Sequence, residues 1–389
     1  MSFGILRTGD NLESMKKIFM FVNVDWFFLS HRLPVAKAAK KNNIDLSVYS
    51  EFTQSHAEKK IDGFNFLESP LSRSSTSILH SIFEFFQAYK IIKRAQPDLI
   101  HAVTIKPILA LGIIARLTSI PFIGSISGLG PAFSSDTFLK RMRLSVVIRI
   151  LSFIFDRNEI CVICQNTSDS QVLLSNKVLA KEKILMIPGS GVDIDEFSPL
   201  KKAINSEKYI LMSSRILFDK GIQEYCEAAK IVKRTIKDNV KFKLSGPIDS
   251  ISPTSISKSE LENLVEKYGI DYLGDNRIDM PGLMASASLF VLPSYYPEGV
   301  PKVLLEAAAS GVPVITTDHP GCRDAITNQG TGLLVPIKDS KALAKAIIEL
   351  ISDESLSKQM GRQGRLLAEK SFQVSSVVDH HYSLYMRLL

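Results

Sequence analysis

A chain of 389 residues, 45% apolar and 22% charged, exceeds what one hydrophobic core usually holds, so two domains are expected and a disordered chain is excluded. No apolar run reaches the roughly 18 residues of a spanning helix; the best, 108–117, is interrupted by Arg116. Lys and Arg outnumber Asp and Glu 47 to 40, and the excess is uneven: residues 1–195 hold 23 against 17, the remainder 24 against 23. Neither half interleaves cations with aromatics as a nucleic-acid platform does, so no nucleic-acid partner is expected. Residues 1–17 lack the apolar segment of a secretory signal, which points to a cytoplasmic protein, soluble or peripheral.

Apolar strand-like runs alternate with amphipathic runs, the pattern of parallel sheets covered by helices on both faces. In the first half, 17–24 predicts a strand, 30–41 a helix, 46–49 a strand, 78–94 a helix, 99–103 a strand, 108–117 a helix and 121–125 a strand. The segment 138–157, FLKRMRLSVVIRILSFIFDR, predicts a helix that joins Lys140, Arg141, Arg143 and Arg149 to large apolar residues. It reads equally as a partly buried helix with a solvated basic edge and as a dock for anionic lipid headgroups or a lipid diphosphate. A strand over 159–165 follows; its Cys161 and Cys164 have no second ligand pair nearby and read as core. After GSGVDIDEFSP and polar residues 201–208 the alternation resumes with 209–213, 222–237, 242–245, 259–268, 272–273, 280–287 and 289–292. The expected architecture is α/β, two doubly wound Rossmann-like domains facing across a cleft, 1–197 and 198–370, with a last helix over 371–389.

Residues 293–318, PSYYPEGVPKVLLEAAASGVPVITTD, place two carboxylates in one loop, helix and strand unit. Pro301 is suited to open the helix, Gly311 and Pro313 to close it. Glu298 then faces the helix start from the loop, and Glu306 lies about 12 Å further along the axis. They cannot share one metal or one proton. They can grip two parts of an elongated ligand whose diphosphate lies near the amides at the helix start. Arg215 and Lys220 in SSRILFDKG, at the exit of that half's first strand, suit the same diphosphate, one bidentately and one as a compact charge.

EGVPKVLLEAAASGVPV resembles the signature of the family 4 retaining glycosyltransferases of the GT-B fold, two glutamates separated by seven residues. The resemblance implies that Glu298, beside Gly299, Val300 and Pro301, bonds the donor sugar, that Glu306 bonds the nucleotide ribose, and that Arg215 and Lys220 stabilise the leaving diphosphate. It places the base against backbone at Ile278, Asp279 and Met280 in GDNRIDMPGLMA, and has the last helix cross back to the first domain. NVDWFFLSHRLPVA, IHAVTIKP and SGLGPAF resemble a bacterial subgroup that builds polysaccharide on a lipid carrier. By that likeness Asn23, Asp25, His31, Lys106, Gly128 and Gly130 are candidate acceptor contacts, and His101, at a strand end, a candidate catalytic group in the cleft. Relatives often carry a glycine pair after the first strand; the turn 23–28 has none, so backbone approach to phosphate there is not expected. The DID of Asp193 to Asp195 resembles the interdomain link GVDxxxF, where Asp193 would anchor a hinge, and not a metal-holding DxD.

Retaining glycosidases work with two carboxyl groups about 5 Å apart, and Glu298 and Glu306 are too far apart for that. The resemblance therefore points to front-face transfer without metal or cofactor, from a UDP-sugar to a polyprenyl-diphosphate-linked sugar, at an anionic inner-membrane surface. N-acetylgalactosamine is the first choice of sugar. A nucleotide-sugar epimerase and a noncatalytic sugar-nucleotide binder are the alternatives.

Overall fold

The apolar run Lys16–Val24 (β1) is buried along most of its length because it becomes a central strand of an eight-stranded sheet. In the computed structural model, residues 15–52, 60–61, 63–72, 77–129, 138–200, 207–236, 240–275 and 279–389 are described. The first domain continues with α1 (Asp25–His31), α2 (Leu33–Lys41), β2 (Ile44–Glu51), β3 (Lys60–Ile61), β4 (Phe64–Glu68), α3 (Ile78–Ala95) and β5 (Leu99–Val103). It is completed by α4 (Ile105–Thr118), β6 (Phe122–Ile126), α5 (Phe138–Phe155), β7 (Ile160–Cys164), α6 (Thr167–Ser175) and β8 (Ile184–Met186). The strand order is β3-β4-β2-β1-β5-β6-β7-β8, parallel except where β3 pairs β4.

The second domain comprises β9 (Tyr209–Ser213), α7 (Ile222–Thr235), β10 (Lys241–Ser245), α8 (Lys258–Tyr268), β11 (Asp271–Tyr272), α9 (Met280–Ser286), β12 (Leu289–Leu292) and α10 (Lys302–Ala309). It continues through β13 (Val314–Thr317), β14 (Gly332–Val335), α11 (Ser340–Ser352) and α12 (Glu354–Ser371). Its six strands are all parallel, in the order β11-β10-β9-β12-β13-β14. Both domains are thus doubly wound, as expected from the alternation.

The sheet of the first domain has a core on both faces. α3, α4, α5 and α6 cover one, through residues such as Ile92, Leu111, Ile154 and Leu173. α1, α2 and α13 (Val374–Leu388) cover the other, through Phe28, Ala36, Leu384 and Tyr385. The final helix therefore packs on the first domain. Backbone bonds pair the two chain crossings: Val192 N donates to Phe372 O at 2.8 Å, and Val374 N to Val192 O at 3.0 Å. Asp193 turns this link, accepting from the amides of Asp195 and Glu196 at 3.0 and 3.1 Å.

The expected turn 23–28 is mostly the helix α1, and the expected helix over 30–41 is divided at Arg32 between the end of α1 and α2. Pro34 cannot donate to the Ser30 carbonyl, and its ring crowds that oxygen. The sequence reading had no elements for β3, β4, α6, β8, β14, α11 or α12. Cys161 and Cys164 lie buried in β7. In α5, Leu151, Ile154 and Phe155 are buried while Arg143 and Arg149 are exposed; the side chains of Lys140 and Arg141 lie outside the description.

Candidate active site at the domain cleft

In the first sheet, chain progression reverses between β1 and β5, and in the second between β9 and β12. Such reversal points leave a crevice outside the carboxyl ends of the strands, where α/β sheets bind ligands. Here the two crevices share one cavity of about 180 Å³. Asn23, Trp26, Phe27, His31 and Thr104 line it from the first domain; Arg215, Tyr296, Glu298 and the loop to Lys302 line it from the second.

On the second-domain side, a short turn at Phe218–Lys220 follows β9 and carries Lys220, whose side chain is only 6% exposed. Lys220 Nζ donates to Glu298 Oε1, which also accepts from Ser294 Oγ at 3.3 Å. Arg215 Nη1 pairs with Asp249 Oδ2 at 2.7 Å, and its guanidinium lies 5.3 Å from the Tyr296 ring and 5.9 Å from the Trp26 ring. Lys220 Nζ is 5.1 Å from the same Tyr296 ring. Burial opposes the charge on Arg215, but Tyr296, Asp249 and Glu298 outweigh it and raise its pKa. Two cations therefore converge on one aromatic ring beside a carboxylate. Glu306 sits in α10, 3.4 Å from Lys302; burial raises its pKa and Lys302 opposes the shift.

The Glu298 loop is held by the first domain. Gly299 N donates to Ser127 O at 2.9 Å, and Asn166 Nδ2 reaches Glu298 O at 3.5 Å. Gly128, at φ +109°, makes room for it: a Cβ there would stand 2.7 Å from Glu298 Cα. Across the cleft, Thr104 Oγ1 donates to Asn23 Oδ1 at 2.9 Å, joining the ends of β5 and β1. The His31 ring stacks on Phe27 at 4.3 Å, and burial, then Arg32 and Lys302, push its pKa down to about 3, so it is neutral.

Known proteins carry the same organisation. The family model described as "Glycosyl transferases group 1" matches residues 193–367, and that described as "Glycosyl transferase 4-like" matches 17–166. The chain belongs to the glycosyltransferases. A relative from Campylobacter jejuni, N,N'-diacetylbacillosaminyl-diphospho-undecaprenol alpha-1,3-N-acetylgalactosaminyltransferase, is 28% identical over 93% of this chain and 98% of its own. An Escherichia coli relative, UDP-Gal:alpha-D-GlcNAc-diphosphoundecaprenol alpha-1,3-galactosyltransferase, is 25% identical over 80% of this chain and 81% of its own. The solved sucrose-phosphate synthase of Thermosynechococcus elongatus shares the GT-B fold, with a TM-score of 0.76 at 20% identity over 96% of this chain and 99% of that one.

In this glycosyltransferase several expected site residues take other roles. His101 has no exposed surface; Nδ1 meets Tyr385 Oη at 2.8 Å and Nε2 meets Ser125 Oγ at 2.7 Å, so it joins β5 to α13 and cannot reach substrate as placed. Lys106 is 3.3 Å from Glu84 Oε2 and donates to Ser72 O at 2.5 Å, so its charge pins the segment before α3. Asp25 is fully buried at the start of α1, accepting from Trp26 N at 2.7 Å. Gly128 serves the Glu298 loop, as above. Asp279 caps α9 through Gly282 N at 2.8 Å, and neither it, Met280 nor Glu306 lines the cavity. Gly130 and Ile278 lie outside the described residues.

Sequence reasoning missed Trp26, Tyr296, Thr104 and Asp249. A signal existed for one of them: Trp26 is the sole tryptophan of the chain, placed directly after the first strand.

Proposed function

We propose that this glycosyltransferase moves a hexose or N-acetylhexosamine, with N-acetylgalactosamine the first choice, from a UDP-sugar to a polyprenyl-diphosphate-linked sugar in bacterial surface polysaccharide synthesis. The observation that carries this is the convergence of Arg215, Lys220 and Glu298 at the second domain's strand reversal, facing Asn23, Thr104 and His31 across one cavity. The names of the Campylobacter and E. coli relatives, both acting on undecaprenol-diphosphate sugars, support the lipid-linked acceptor and, in one, the UDP donor.

In this reading residues 198–370 bind the donor, 1–197 the acceptor, and 371–389 strap the two together. Glu298 takes donor-sugar hydroxyls, Gly299 to Pro301 line the sugar, Glu306 takes the ribose, and backbone near Ile278, Asp279 and Met280 takes the base. Arg215 and Lys220 take the diphosphate, supplying the charge that a metal supplies elsewhere. Asn23 and His31 meet the acceptor. The bond from the anomeric carbon to the diphosphate oxygen breaks and the bond to the acceptor oxygen forms on the same face, retaining configuration. The acceptor proton passes to the departing phosphate oxygen. Protein groups act by position and charge.

The test offers the purified protein a panel of UDP-sugars and GDP-mannose, with and without a short polyprenyl-diphosphate N-acetylhexosamine. Release of UDP from one donor only with acceptor, with product of the summed mass, is expected. Isomerisation of a UDP-sugar without acceptor would instead mark an epimerase.

A further inference from the structure

α3, α4 and α5 form one helical layer on the first sheet, with α4 touching both neighbours. α3 is the crossover from β4 to β5 and α5 that from β6 to β7, so both run opposite to the parallel strands. Their first turns therefore lie at the carboxyl edge of the sheet, where the cleft opens.

The outer surface of this layer is unusual in two respects. On α3, Leu79, Ile82, Phe83 and Phe86 follow the i, i+3, i+4, i+7 spacing of one helical face and are 80, 49, 59 and 56% exposed. The helix already buries a separate apolar side through Ala88 and Ile92. α5 adds Met142 and Val146, 54 and 53% exposed, near its own first turns. The second respect is charge. Residues 78–95, 105–118 and 138–155 contain nine Lys or Arg and one acid, Glu84. Glu84 is 2% exposed and turned inward to Ser72 N and Lys106. Lys90, Lys93, Arg94, Arg143 and Arg149 are exposed.

Large apolar side chains set among cations, with no outward carboxylate, match an anionic bilayer: acyl chains accept the rings, and headgroup phosphates accept the cations. A second copy matches less well, because pairing two such faces opposes like charges. Nucleic acid matches less well, because a phosphate backbone covers no apolar stripe.

We propose that the α3–α5 layer is the surface by which the protein lies on an anionic lipid bilayer, with the first turns of α3 and α5 below the headgroups. It deepens the lipid-linked acceptor reading, on which its purpose rests. The cleft mouth then sits at the headgroup plane, where a membrane-anchored diphosphate emerges.

Flotation of the full chain with vesicles tests this without any sugar substrate. Co-flotation is expected with phosphatidylethanolamine/phosphatidylglycerol vesicles, weakening with salt, and little with phosphatidylcholine alone. Phe83→Ser/Phe86→Ser should lower partitioning roughly a hundredfold, and Lys90→Gln/Lys93→Gln about twenty-five-fold. Melting temperature and UDP release with a water-soluble acceptor should stay unchanged in both. If the phenylalanine pair fails to fold, Leu79→Gln probes the same contact at the most exposed position. Equal recovery of wild type and variants, or indifference to phosphatidylglycerol, overturns the proposal. So does a dimer in light scattering that Phe83→Ser/Phe86→Ser dissolves, which assigns the face to a second copy, or RNA retention without vesicle binding. Vesicle binding by a protein that transfers no sugar keeps the surface and sinks the proposed reaction.

Discussion

Lys220 and Arg215 hold their positions through different carboxylates, and this separates their predicted behaviour. Lys220 is nearly enclosed and bonded to Glu298, so Lys220→Met should remove charge from the departing diphosphate and lower kcat by about 10²- to 10³-fold, read as UDP release under saturating donor. Asp249 lies behind Arg215, whose guanidinium it orients. Asp249→Asn should raise the donor KM while leaving most of kcat, a loss of about tenfold in kcat/KM; an unchanged KM would show that Asp249 orients nothing the donor uses. The cations and Glu298 were legible in the sequence because each stands at a strand exit with a recognisable neighbour pattern. Asp249 was not, since it meets Arg215 across 34 positions in a loop with no periodic signal. Lys106 and His101 were misread for a related reason. Their polar partners, Glu84 and Tyr385, come from other elements, 22 and 284 residues away.

Junctions between elements hold two features that pattern alone does not show. Thr104, between β5 and α4, has φ 75° and ψ 160°, a region nearly reserved for glycine, which costs about 1–3 kcal/mol in a β-branched residue. Its hydroxyl reaches Asn23 in the cleft. Thr104→Gly should therefore raise the melting temperature and lower transfer together; a rise with full activity would make the strain incidental. The α13 contact brings His101 and His381 into the core, with ring centroids 5.9 Å apart. Burial lowers both pKa values first, joined at His101 by His381 and at His381 by Arg32; His381 falls to about 3. Unfolded, each takes a proton near pH 6.5. Their neutral burial is thus compatible with full stability above pH 6.5, and stability is lost as pH falls from there toward 3, by up to about 1.4 kcal/mol per histidine per pH unit. Melting curves from pH 7 to pH 4 should show this fall, with a shallower slope for His381→Gln. Fully buried strands such as β5, β9 and β12 were legible end to end, whereas the long helices α11 and α12, beyond the two-glutamate unit, were not read. β8, only partly buried, and the two-residue β3 carry too short an apolar signal.

The two domains facing across a cleft, with the last helix returning to the first, were legible from the two alternations and the resemblance, but the loop contacts that set the two against each other were not. Gly128 is the clearest of these. Gly128→Ala would drive a Cβ into the Glu298 backbone and should separate the domains, cutting transfer at least tenfold while UDP affinity, which the proposed function assigns to the second domain, changes little. Equal loss of both in calorimetry and turnover would point to misfolding instead. The bond from Gly299 N to Ser127 O carries a wider implication. The loop that presents Glu298 borrows an anchor from the opposite domain, so under the proposed function an isolated second domain would have an unfinished sugar grip. Competence to break the activated bond is then a property of the assembled pair, and water alone, arriving while the halves are apart, meets a nucleotide-sugar that nothing is yet arranged to activate.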